Sequence, residues 1–198
     1  MTTPETTTPE TAAPTLDDER ADLLAELAAA RNFLLHTTQG LTDEQAGATP
    51  TVSSLSLGAL IKHVASTEEA WARFVAGDRS AMSFDLPDGV TWQDLMTGTA
   101  RTYPQWAIDR ENDFRWLPGD TLAGVVARYH EVAARTDALV ASVPSLSETH
   151  VLPEAPWNEP GAVRSVRRVL IHLVAETTQH AGHADIIRES IDGQKTMG

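Results

Sequence analysis

Cysteine is absent from the 198 residues. Disulfides, a thiolate nucleophile of the chain's own and every Cys-ligated zinc site are therefore excluded, so any metal here must rest on imidazole and carboxylate. Basic residues are also scarce. Fifteen Lys and Arg against 28 Asp and Glu leave a formal charge of −13. That balance argues against a nucleic-acid partner, whose phosphates need clustered cations, and against docking on an anionic membrane face. No uninterrupted apolar run reaches the roughly 18 residues of a membrane span. The first residues carry neither the basic nor the apolar stretch of a secretory signal, so a cytoplasmic protein without a membrane partner is the expectation. No alternating apolar–polar pattern is present, and no strand is predicted.

What is present is ordinary globular composition, 41% hydrophobic and 22% charged, enough for one domain with a real core. Residues 1–14 are set apart. They hold six Thr, three Pro and two Glu, with "TTPET" occurring twice. Such a segment buries too little apolar area to offset its ordering entropy, and reads as a disordered tail ahead of a single domain over residues 15–198. In that domain four amphipathic stretches follow the helical period. The first starts after Thr15, with Asp17 and Asp18 in its first turn, and runs through Leu23, Leu27 and Leu34 towards Gly40. The second is capped by Ser56 and carries Leu57, Leu60, Ile61, Val64, Trp71 and Phe74. The third is capped by Thr121 and carries Leu122, Val125, Tyr129, Val132 and Leu139. The fourth runs from about Val163 to Ile191 and stops at Gly193. Residues 76–120 are less orderly, with a short helix near 91–103 ending before Pro104. Four helices joined by long loops predict an all-α four-helix bundle.

The fourth helix concentrates the chemistry. Its stretch "HLVAETTQHAGHADIIRES" contains His172, Glu176, His180 and His183. At about 100° per residue, Val166, Val169, Leu173, Ala184, Ile187 and Ile191 form one apolar stripe. His180 falls near its middle and Glu176 half a sector away, while His172 and His183 lie towards its edge. A carboxylate facing the core is costly unless it is paired, hydrogen-bonded or bound to a cation. An imidazole one turn later on the same face can share that cation. The plain alternative is a hydrogen-bonded core histidine beside a glutamate that pairs with arginine. A further ligand must come from another helix, and His36, His63, His130 and His150 are the candidates. His63, flanking the second helix's stripe, ranks first by a modest margin.

Two blocks, "SLSLGALIKHVASTEEAW" and "RSVRRVLIHLVAETTQHAGHADIIRESIDG", carry a resemblance to the DinB-like and YfiT-like metal-binding four-helix superfamily. Within it, the chain is similar to the group of the mycothiol-dependent maleylpyruvate isomerases, which like this chain has glutamate where many DinB-like proteins have histidine. The likeness covers most of residues 20–193 and is weak in the middle. It implies an up-up-down-down bundle and a divalent metal, zinc or nickel, held by His63, Glu176 and His180. It further implies a low-molecular-weight thiol of the mycothiol type, a metal-dependent thiol S-transferase or isomerase acting on a small electrophile, and a homodimer, as relatives often form. Two other readings stand beside it: a non-catalytic metal-binding stress or accessory protein, and a metal-dependent hydrolase. His183 reads as a support for the ligands, His172 as a hydrogen-bond donor to a loop, and Asp185, Arg188 and Arg167 as structural contacts.

Overall fold

In the computed structural model, which describes residues 16–78 and 80–196, four long helices carry the chain. The expected tail over residues 1–14 lies outside the described residues. Helix α1 spans Leu16–His36, a short α2 spans Asp43–Gly47, and α3 spans Leu57–Val75. Two short helices, α4 (Trp92–Thr97) and α5 (Gln105–Asp113), precede α6 (Leu122–Ser142). Strands β1 (Thr149–Val151) and β2 (Val163–Ser165) lead into α7 (Val166–Asp192). The caps act as their chemistry dictates: the hydroxyls of Ser56, Thr121 and Ser165 accept from the backbone N–H of Ala59, Gly124 and Arg168, and Gly193 closes α7 in the left-handed region at φ 79°. No helix among the described residues is long and apolar enough to cross a membrane.

The core has two apolar clusters, and they reveal the direction of each helix. One gathers Leu34, Leu60, Ile61, Val64, Val125, Tyr129, Ala184 and Ile187. The other gathers Leu27, Phe74, Val75, Val140, Leu146, Val169 and Leu173. The end of α1, the start of α3, the start of α6 and the end of α7 therefore share one pole of the bundle. The order is up-down-down-up, not the expected up-up-down-down, with α1 parallel to α7 and α3 parallel to α6. Connection length explains it. Residues 76–121 form the longest link and carry the chain back along the bundle, so the parallel sequence neighbours are α3 and α6.

Two further expectations are corrected. A short antiparallel ladder does exist, pairing Thr149 with Ser165 and Val151 with Val163. With three residues on each strand, its alternation is too brief to read in sequence. Pro104 ends no helix: α4 stops at Thr97, closed by Gly98 in the left-handed region at φ 72°, and Pro104 stands at the N-cap of α5, where its missing N–H costs nothing.

Between the apolar clusters lies a polar layer. Arg31 sits between Leu27 and Leu34, Glu68 between Val64 and Phe74, and Thr177 between Leu173 and Ala181, and all three are buried. The Arg31 guanidinium grips Glu68 with two hydrogen bonds, Nε to Oε2 at 3.1 Å and Nη2 to Oε1 at 2.5 Å. Its Nη1 reaches Asp137 on α6 at 2.8 Å. Burial, reinforced by the Glu68 charge, raises the pKa of the neighbouring Tyr129 phenol. Elsewhere Trp116 wedges between α2 and α3. A Cβ on Gly58 would fall 2.1 Å from its ring and one on Gly47 2.3 Å from it, so both positions need glycine.

Glu68 has no solvent contact, so removing its partner strands a buried charge. Arg31→Met is expected to cost about 3–5 kcal/mol in urea unfolding, and Arg31→Met combined with Glu68→Leu to recover most of that loss. Equal losses for the single and double variants would show that the pair does not hold the bundle.

Candidate metal centre

Three side chains from two helices converge just beyond the polar layer. His63 points from the buried face of α3, while Glu176 and His180 lie one turn apart on α7. One ligating atom from each lies within 4.8 Å of the other two. The Nε2 atoms of His63 and His180 both stand 3.3 Å from the same oxygen, Glu176 Oε1, and the two rings meet edge-on at 4.9 Å. His63 is buried, whereas the side chains of Glu176 and His180 keep 22% and 14% of their exposure. The cluster is anchored inside and open on one side.

Of the other histidines considered as ligands, His36 and His130 are exposed and His150 lies on β1; none joins this group. His183 is exposed and touches His180 ring edge to ring at 5.5 Å. His172 packs edge-on against Trp71 at 5.1 Å and, among the described residues, makes no loop hydrogen bond of the kind expected of it. Arg188 is the inter-helix contact it was read as. It is buried and donates to the carbonyls of Thr37 at 2.7 Å and Gln39 at 2.8 Å. Asp185 accepts from the backbone of Thr196, and Arg167 pairs with Glu19.

The disorderly middle of the sequence supplies the lid of the cluster, which periodicity could not reveal. Phe114, at the end of α5, stacks on the His63 ring at 3.9 Å and 26°. Its neighbour Asp113 accepts from Ser66 Oγ at 2.9 Å, and Ser66 in turn accepts from Arg128. Burial pushes the Asp113 carboxyl up against the opposing pull of Ser66 and nearby cations. Neither of two cavities, about 170 Å³ beside Arg31 and Tyr129 and about 860 Å³ beside Phe84 and Trp92, includes the three converging residues. The larger is a broad surface hollow.

The donor set suits a divalent cation. Two imidazoles and a carboxylate face one point, the carboxylate is held ionised, and the buried Nδ1 of His180 has no hydrogen-bond partner among the described residues. Here the two imidazoles share that one carboxylate oxygen, each at 3.3 Å.

Comparison with known proteins adds two findings. The family model described as MST, mycothiol-S-transferase, matches residues 22–193. A similar solved structure is the crystal structure of colibactin self-resistance protein ClbS in complex with a dsDNA. Its TM-score is 0.54 at 13% identity, covering 86% of this chain and 95% of that one. At that identity the likeness speaks for the fold alone. No curated protein matches the sequence. The ClbS structure corrects one expectation: the fold occurs in a protein solved with dsDNA, so the exclusion of nucleic acid from net charge does not stand. Local surface charge, and not the sum over the chain, governs such contacts.

Hydrogen bonds from His180 and then His63 hold the Glu176 carboxyl well below its ordinary value of 4.5. A carboxyl depressed by folding stabilises the native state above 4.5 and loses that contribution as pH falls. Urea unfolding of the metal-free protein, followed from about pH 5 to about pH 3, should weaken less steeply in Glu176→Gln than in the natural chain. Parallel slopes would remove Glu176 from the acid response.

Proposed function

The chain belongs to the mycothiol-S-transferase family, and from that premise we propose that it transfers a mycothiol-class thiol to a small electrophile at a divalent cation. The observation that carries the reading is the convergence of His63, Glu176 and His180 within 4.8 Å in a chain that has no thiol of its own. These three residues are its metal ligands. A cation at such a site supplies positive charge that lowers the pKa of a thiol reaching it. Nitrogen and oxygen donors alone suit zinc and nickel equally, and three protein ligands leave room for a substrate atom.

The chain's own residues do the rest. Phe114 lies flat on His63 and fixes the plane of that imidazole. Burial of His63 on α3 gives the cluster a rigid wall, while the partial exposure of Glu176 and His180 leaves the approach open. Substrates enter from that side. In a displacement the thiol's S–H bond and the bond from the electrophilic carbon to its leaving group break, one S–C bond forms, the leaving group departs with its bonding pair, and the thiol proton passes to solvent.

Elemental analysis of the purified protein is expected to find about one zinc or nickel per chain, lost in His63→Ala, Glu176→Ala and His180→Ala. With mycothiol and an electrophile panel, thiol consumption should depend on the metal and fall to the uncatalysed rate in His180→Ala. Bound metal without consumption above the His180→Ala background would leave a non-catalytic metal-binding protein and sink the transferase reading.

A further inference from the structure

One turn before Glu176, about 6 Å along α7, the same face continues into a cationic, aromatic patch. Arg164 on β2 lays its guanidinium 4.5 Å over the Trp71 ring, and His172 meets that indole from the side at 5.1 Å. All three are half-buried. His150 stands opposite Arg164 in the β1–β2 ladder, and its ring meets Phe74, which closes the patch behind Trp71.

Arg164 lacks what the other enclosed arginines have. Arg31, Arg167 and Arg188 each meet a carboxylate. Among the described residues Arg164 has neither ion pair nor hydrogen bond, and its Nε is buried without a partner. This occurs in a chain with 28 acidic residues against 15 basic ones, where a carboxylate partner is statistically the easiest thing to supply. A guanidinium pressed on an indole and partly desolvated favours a planar, bidentate anion. The nearby charge of Arg168 raises the local positive potential further.

We infer that Arg164, backed by Trp71 and flanked by His172, is a subsite for a carboxylate carried by the electrophile. The inference rests on the thiol-transfer reading for its substrate, and it narrows that substrate to electrophiles that carry a carboxylate. His172, which flanks Arg164 across the Trp71 ring, lies one helical turn, about 6 Å, from Glu176 along α7, so the patch and the three converging residues are neighbours on that helix. The planar single-headed anion fits one guanidinium and one imidazole better than a phosphate, which draws on several cations.

N-chloroacetylglycine and its methyl ester test this, because they share one reacting carbon and differ only in the remote carboxylate. The thiol sulfur bonds to the chloromethyl carbon, chloride leaves, and the thiol proton is released. With the metal-loaded protein and mycothiol, kcat/KM should favour the acid by about tenfold or more, chiefly through KM, and the ratio should approach one in Arg164→Gln. Arg164→Lys, which keeps the charge and loses the plane, should retain part of it. A ratio near one in the natural protein, or one that survives Arg164→Gln, overturns the subsite. Calorimetry with N-acetylglycine, which cannot react, separates this from failure of the transferase reading. If neither chloroacetyl probe is consumed, binding of N-acetylglycine that weakens about tenfold or more in Arg164→Gln still supports the subsite, and absence of binding overturns it.

Discussion

A carboxylate with no access to water, Glu68, sets the terms for the rest of the bundle. An ionised group in that position is tolerable only if a cation meets it with good geometry. Arg31 does so with two hydrogen bonds and carries a third to Asp137, so α1, α3 and α6 are fixed against one another at a single height. The pair contributes little net stability compared with an apolar substitute of similar volume. Its effect is register: sliding α3 by one turn would strand Glu68. His63 precedes Glu68 on the same buried face of α3, and α7 packs along both α1 and α3. Holding Glu68 in place therefore also holds His63 opposite Glu176.

The up-down-down-up order gives the long crossover a second use. A connection returning from the end of α3 to the start of α6 must travel along the outside of the bundle. Here it travels along α3, and α5 ends with Asp113 and Phe114 against Ser66 and His63. Trp116 follows at once and is pinned where α2 and α3 both expose glycine. Lys62, beside His63, adds a bond to the Arg115 carbonyl and an ion pair with Asp120. The segment with the least periodic sequence is thus fastened at successive residues around His63 on α3.

What was legible in the sequence follows from which signals are local. The starts of α3 and α6 were readable because Ser56 and Thr121 satisfy backbone donors within three residues of themselves, whereas the fourth helix starts at Val166, behind the Ser165 cap, and not at Val163 as expected. Glu176 and His180 were readable because a polar residue on an apolar stripe is conspicuous at helical spacing. His63 was less so: its spacing alone left three rival histidines, and the family resemblance was needed to choose. The same stripe argument applies to Glu68, four residues after Val64, and to Arg31, four after Leu27, so the buried pair was within reach of sequence reasoning. Helix direction was not, because four stripes carry no record of which ends meet. Phe114 escaped for a similar reason, since it is brought to His63 by a crossover with no period of its own.

Net charge proved the weakest of the sequence signals, and the face of α7 shows why. It presents Glu176, a carboxylate met by the imidazoles of His63 and His180, and one turn earlier His172, which shares the Trp71 ring with Arg164 of β2, a cation without an anion among the described residues. Summed over the chain, these opposite features nearly vanish beside −13. Yet half-buried groups such as these act on whatever touches them far more strongly than the diffuse charge of the remaining surface, which is screened within about 8–10 Å at ordinary ionic strength. The total charge governs solubility and long-range encounter, whereas contacts at close range are governed by the few groups that line them.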